Sequence, residues 1–310
     1  MTDLFESKNI QPMLIGQMME PFNDKNWIYE LKLDGCRCIA YLNSDQTELR
    51  NKRNMQLLSK FPELKGLHTN VKDSCILDGE LLVLKNGVPD FYELQRRTLL
   101  TDAFKIKIAA NQLPATFVAY DCLYMKRESI LEKPLSQRKE WLQQLVLVEN
   151  LRFAISRYIH ENGIELYNIA DERKLEGVVA KRWDSFYYQG KRSKDWIKFK
   201  RMSDEDFVVT GYIQKEENIF SLILGRYKNG RLIYKGHVTS GVTKDTIQLF
   251  KVIQENPFHM IPAGNENAVW IQEKVCTVEY MPNTKNSLRQ PVFKGIREEI
   301  LPIECIEKES

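Results

Sequence analysis

YELKLDGCRC, residues 29–38, is the stretch on which the reading of this chain turns. In an extended strand, residues i and i+2 share a face, so Glu30, Lys32 and Asp34 start out on one side. Asp34-Gly35 lies between two alternating segments, WIYELKL and CRCIAYL. Such a pair is a turn signal, and the turn would return Arg37 toward the same pocket. An amine attacks only when neutral, and an ordinary lysine, with a pKa of about 10, is almost wholly protonated at pH 7. Burial and neighbouring cations would free its lone pair. Lys32 is therefore either a solvated charge on a strand or a nucleophile in a prepared site. E-x-K-x-D-G-x-R would arise by chance in roughly one of a few thousand chains of this length.

The composition bounds the answer. A chain of 310 residues with 28% charged and 43% hydrophobic residues suits a globular protein of about two domains with real cores. No apolar run reaches the ~18 residues of a membrane span, and MTDLFESKNI lacks a basic-then-apolar signal pattern, so a cytoplasmic protein with no membrane partner is expected. Six cysteines at 36, 38, 75, 122, 276 and 305 make one C-x-C and no C-x-x-C, and only four histidines accompany them. That spacing points to reduced, buried thiols rather than zinc. A net charge of +3 permits a nucleic-acid partner without requiring one.

Working outward, CILDGELLVL (75–84) reads as a second strand with its own Asp-Gly, and TFVAYDCLYM (116–125) as a buried one. Residues 90–113 look helical and exposed, LSQRKEWLQQLVLV (135–148) forms an amphipathic helix opened by Ser136, and a further helix spans 161–173. The strand GVVAKRW and the segment around WIKFK follow. After Lys200 the character changes. RMSDED (201–206) reads as a polar hinge, and beyond it DFVVTGYI, FSLILGRY, RLIYKGHVT and WIQEKVCTVEYM alternate as strands around a helical TKDTIQLFKVIQ, with Asn229-Gly230 as a tight hairpin. This pattern predicts an α+β domain at 1–201 and an all-β, five-stranded barrel of the OB type at 202–310.

ELKLDGCR resembles the nucleotidyl-attachment motif of the ATP-dependent DNA ligases and of their relatives, the RNA ligases and capping enzymes. Further matches follow in order. KRNMQLLSKFPEL, LDGELLVL, AYDCLY, EGVVAKR and GKRSKDWIKFK resemble the successive ligase motifs. The resemblance implies a nucleotidyltransferase domain of antiparallel sheets flanked by helices, followed by the barrel. It makes Lys32 the residue that becomes covalently attached to AMP. Glu30 falls near the base, Arg37 beside the ribose, Glu80 on the ribose, Tyr120 on the adenine face, and Lys198 and Lys200 on the α-phosphate. Glu176, with Glu80, would hold Mg²⁺ or Mn²⁺, and Arg53 would meet the 5′-phosphate of a nick. Several of these also make sense on their own. Lys198 and Lys200 alternate on one strand face and would aim two ammonium groups at one phosphate. A carboxylate such as Glu176 is a hard oxygen ligand that suits Mg²⁺. KRWDSFYYQGKRSK (181–194), with Lys191 and Arg192, mixes cations and aromatics as a surface tracking a phosphate backbone does.

LRQPVFKGIREE (288–299) resembles the last motif of the ligase module in bacterial end-joining ligases of the D type. Arg297 matches the arginine that orients the pyrophosphate of ATP; Glu299 and Ile300 stand where that motif has Asp and Lys, a loss of charge expected to slow self-adenylylation. The resemblance implies ATP as substrate and nicked duplex DNA as partner, in repair or end joining. It further implies a compact monomeric enzyme at the nucleoid whose barrel moves between steps; a Ku-type end-binding protein is a candidate partner by resemblance alone. An RNA ligase or capping-type nucleotidyltransferase would share Lys32. A degenerate ligase that only binds DNA would retain the fold.

Overall fold

The computed structural model describes residues 3–200, 203–281 and 288–307. The chain divides into two units, residues 1–200 and 201–310. Along the first run β1 (Leu14–Met18), β2 (Asp24–Leu31), β3 (Cys36–Leu42), β4 (Thr47–Asn51), β5 (Cys75–Lys85), β6 (Val88–Pro89), β7 (Ala115–Met125), β8 (Glu128–Ser129), β9 (Phe153–Ile155), β10 (Tyr158–Glu161), β11 (Gly177–Arg182) and β12 (Arg192–Lys200). The helices are α1 (Leu4–Ser7), α2 (Phe91–Leu99), α3 (Ala103–Gln112), α4 (Leu135–Leu145) and α5 (Gly163–Glu172). They form two sheets, ordered β1-β12-β11-β2-β10 and β4-β3-β5-β7-β8, with β6 on β5 and β9 on β7. Pairing is antiparallel apart from β1 with β12 and β7 with β9, which run parallel.

Alternation of side chains lets both sheets bury residues on both faces. Ile39, Tyr41, Ile76, Tyr120 and Trp196 share one buried cluster, which joins the two sheets. Cys38, Ala40, Leu77, Leu81 and Phe117, on the other face of the second sheet, pack with Leu94 of α2 and Leu142 of α4. Tyr29, Val178, Ile197 and Phe199 pack beneath α5.

The two Asp-Gly pairs do not make hairpins. β2 pairs with β10 and β11, whereas β3 pairs with β4 and β5, so Asp34-Gly35 carries the chain from one sheet to the other. Gly35 is required by close approach: a Cβ there would lie 2.3 Å from the Leu81 carbonyl oxygen. Asp78-Gly79 sits inside β5, at a register shift opposite β7, where a Cβ would meet the Val118 carbonyl oxygen at 2.4 Å. In both places glycine serves backbone contact rather than a turn conformation. The helical stretch 90–113 is two helices, each opened by an aspartate, Asp90 and Asp102, whose side chain accepts from a backbone N–H. α4 begins at Leu135 after Pro134 with no side-chain cap, so Ser136 does not cap it.

The second unit carries β13 (Ser203–Glu216), β14 (Ile219–Lys228), β15 (Arg231–Val238), α6 (Lys244–Gln248), β16 (Val269–Met281) and β17 (Arg289–Arg297). Its sheet order β15-β14-β13-β16-β17 is antiparallel throughout, and a parallel bridge between Ser240 and Val292 brings the two ends of that order together. Asn229 and Gly230 both have positive φ, 51° and 74°, which makes the expected two-residue hairpin. Of the expected hinge, Arg201 and Met202 lie outside the described residues, and Ser203–Asp206 belong to β13. The predicted helix over 243–254 is one short helix, α6. All six cysteines are free, five buried and Cys36 half-buried. No helix among the described residues is long and apolar enough to cross a membrane.

Candidate active site

A cavity of about 110 Å³ between the two sheets is lined by Glu30, Lys32, Arg37, Glu80, Tyr120, Lys181 and Trp196, among others. Register explains the convergence. In the first sheet Glu30 lies opposite Val179, Val179 opposite Lys198, and Lys181 opposite Trp196, so three strands present these side chains on one face. In the second sheet Arg37 lies opposite Glu80, and Glu80 opposite Val118 two residues from Tyr120.

Lys32 follows the end of β2, its backbone N–H donating to the Gly177 carbonyl. Its ammonium donates to Glu176 Oε2 at 2.7 Å, and Lys200 Nζ lies 3.6 Å from Glu176 Oε1. Glu176 is thus a buried carboxylate between two amines. Lys198 belongs to the same group: burial, then the nearby charge of Lys32, pushes its amine below the ordinary lysine range. Burial pushes the Glu80 carboxyl up to about 8, although Arg37 and Lys32 pull the other way.

Glu30 is buried beneath two ammonium groups. Lys139 of α4 donates to Oε1, and Lys181 donates to Oε2 at 2.9 Å. Burial alone would raise this carboxyl, but the two cations hold it below the usual range. Lys181 is itself pushed down to about 8 by burial against the pull of Glu30, and its ammonium sits 4.2 Å from the Tyr120 centroid. Arg37 is anchored by Asp78, which also accepts from the Tyr187 hydroxyl at 2.7 Å, and it donates to the Met13 carbonyl at 3.2 Å.

Glu30, Lys32, Arg37, Glu80, Tyr120, Glu176, Lys198 and Lys200 are therefore brought together. Arg53, Lys191 and Arg192 are exposed and do not themselves line the cavity, although Arg192 donates to the carbonyl of Ile15, which does. Arg297 belongs to the second unit, where it pairs with Glu299 at 2.6 Å and donates to the Thr277 hydroxyl. The stretch 181–194 is not wholly a surface, because Lys181 and Tyr187 are buried. Asp78, Lys139, Lys181, Tyr187 and Trp196 were missed. Trp196 stands two residues before Lys198, so strand alternation could have found it; Lys139, on a helix far along the chain, has no such signal.

Among the described residues no three His, Cys, Asp or Glu side chains gather as a metal cluster. Glu176 and Glu80, one from each wall of the cleft, still fit Mg²⁺, which is commonly held by one or two carboxylates plus substrate phosphates.

This is the architecture of a nucleotidyltransferase unit followed by an OB-fold barrel, with an amine-rich cleft in the first. The chain belongs to the ATP-dependent DNA ligase family: residues 11–200 match the model of the ATP-dependent DNA ligase domain, and residues 215–300 match that of its C-terminal region. It is 31% identical over 293 residues to the SPbeta prophage-derived DNA ligase-like protein LigB of Bacillus subtilis, covering 93% of this chain and 99% of that one. DNA ligase C1 of Mycolicibacterium smegmatis is 31% identical over 315 residues, with 94% and 89% covered. The multifunctional end-joining protein LigD of the same organism matches at 28%, and the chain spans 40% of its length. Among solved structures, mycobacterial DNA ligase D complexed with ATP and MES shares the fold, with a TM-score of 0.57 at 23% identity over 97% of this chain and 99% of that one.

Proposed function

We propose that this ligase seals 5′-phosphate/3′-hydroxyl nicks in duplex DNA by three nucleotidyl transfers, with Lys32 as the nucleophile. The observation that carries it is Lys32 Nζ, 2.7 Å from Glu176, lining a cavity with Glu80 and Tyr120 and flanked by Lys198 and Lys200. Lys32 Nζ attacks the α-phosphorus of ATP; a P–N bond forms, the bond to pyrophosphate breaks, and the amine sheds its proton. The nick's 5′-phosphate oxygen then takes the AMP from Lys32. Finally the 3′-hydroxyl attacks the phosphorus of that 5′-phosphate, the phosphodiester bond forms, and AMP leaves. Lys198 and Lys200 offset the charge gathering on the α-phosphate, Tyr120 faces the adenine, Arg37 and Glu80 hold the ribose, and Arg297 orients the departing pyrophosphate. Mg²⁺ or Mn²⁺ on Glu176 and Glu80 would neutralise phosphate charge.

Arg53, Lys191 and Arg192 hold the DNA backbone in this reading. Residues 1–201 act as the adenylyltransferase domain and 202–310 as the OB-fold domain. The role extends to repair and end joining by a cytoplasmic monomer at the nucleoid, with a Ku-type protein as the partner at broken ends.

The test incubates the AMP-stripped protein with α-labelled ATP, GTP or NAD and Mg²⁺. Label from ATP on the chain is expected, and Lys32→Ala abolishes it. Label surviving in that variant, or appearing from GTP instead, overturns the assignment. Sealing of nicked DNA in preference to nicked RNA then fixes the substrate.

A further inference from the structure

Tyr187 is buried, although it belongs to a stretch, 181–194, most of which is exposed. Its hydroxyl donates to Asp78 Oδ2 at 2.7 Å and accepts from the Met13 backbone N–H at 2.9 Å. A hydroxyl has one proton to give, so that proton is committed to Asp78. Asp78 is fully buried and grips Arg37 with both oxygens, one accepting from Nε and the other from Nη2. Nη2 also donates to the Met13 carbonyl at 3.2 Å. A two-pronged pair of this kind fixes the plane of a guanidinium. On its own the pair could still swing together about the Asp78 side-chain bonds; the Tyr187 hydroxyl, from a distant segment, opposes that. Three of the five N–H donors of Arg37 are thereby occupied, and Nη1 has no partner among the described residues. The Arg37 side chain remains 18% exposed and lines the cavity.

We propose that Tyr187 is a positioning residue for sugar selection: by holding Asp78 it sets the plane of the Arg37 guanidinium, so that Nη1 donates to a hydroxyl of the bound nucleotide's ribose. Tyr187 itself touches no substrate. This rests on the reading that ATP occupies the cavity with Arg37 beside the ribose and labels Lys32. A sugar lacking that hydroxyl leaves the donor unpaired and binds less well.

The experiment compares self-labelling by α-labelled ATP, 2′-deoxy-ATP and 3′-deoxy-ATP. In the wild-type protein one of the two deoxy nucleotides is expected to show a KM about tenfold above that of ATP, with little change in kcat. Tyr187→Phe keeps the ring, which meets Trp196 edge-on with centroids 5.9 Å apart, and loses the hydroxyl. It raises KM for ATP by a similar factor, and the missing sugar hydroxyl then costs nothing more. A tyrosine that only tethered the segment at Met13 would weaken all three nucleotides alike and leave their ratio intact. An unchanged ratio in the variant, or a loss confined to kcat, overturns the proposal. Should Tyr187→Phe not fold, Asp78→Asn, which keeps the side chain's shape and breaks the grip on Arg37, takes its place; a sugar preference that persists there overturns it equally. A wild-type protein that labels from ATP and ignores the loss of either hydroxyl removes Arg37 from the ribose, and the proposal with it. Absence of any label from ATP on the wild-type chain would instead remove the underlying reading of Lys32.

Discussion

Glu80 keeps its proton to a pH where ordinary carboxyls have lost theirs, since burial pushes it up to about 8 from 4.5. Below about pH 4.5 it is neutral in the folded and the unfolded chain alike. Between about 4.5 and 8 the unfolded chain has released a proton that the folded chain retains, so this residue makes folding less favourable as pH rises. Melting temperatures of the wild type and Glu80→Gln, measured from pH 5 to 8, should therefore diverge, with the wild type losing stability relative to the variant. Parallel curves would contradict the raised pKa of Glu80. Lys181 acts in a separate window. Its amine, lowered from 10.5 to about 8, favours folding progressively as pH rises from 8 to 10.5. The candidate nucleophile and the two lysines proposed for the α-phosphate were legible because strand alternation and motif order both point to them. The state of Glu30 was not, because the two ammonium groups that hold it come from α4 and β11.

At the scale of elements, α4 is tied to the site by charge as well as packing. Arg138 donates from Nε and Nη2 to both Asp121 oxygens at 2.9 Å, and both side chains are fully buried. Arg138→Ala strands the Asp121 carboxylate next to Tyr120 and should cost about 3–5 kcal/mol, read from denaturant unfolding. A loss below about 1 kcal/mol would show that the pair is dispensable. The end of β17 has a different logic. Ile300 packs against the cluster of Val208, Val275 and Cys305, which gives an apolar residue a reason to stand where the resembling motif has lysine. Ile300→Lys is therefore expected to destabilise by about 1 kcal/mol, the ammonium reaching solvent while the stem stays packed. Single-turnover labelling measures its effect on the first step; a labelling rate raised tenfold would instead show that charge at 300 limits that step. Asp34-Gly35 does not close a hairpin, and a two-residue pattern cannot distinguish a hairpin from a change of sheet.

For the whole molecule, a net charge of +3 says little, because the cations are distributed unevenly. If Lys191 and Arg192 contact phosphate, affinity for nicked duplex DNA falls steeply with salt, and Lys191→Ala and Arg192→Ala each lower the log–log slope by about 1. Unchanged slopes would place the DNA elsewhere. By itself the sequence marked an α+β part and a β-barrel part, Lys32 as the candidate nucleophile through the order of its motifs, and the residues of one strand that accompany it. These are local properties: alternation, turn residues and spacing within a few positions. The tertiary structure alone decided that β2 and β3 belong to different sheets, that Glu176 is the partner of Lys32, and that Lys139, Lys181 and Trp196 belong at the cleft. Each of those rests on a contact between segments far apart in the chain, set by sheet register and burial, which no short stretch of sequence encodes.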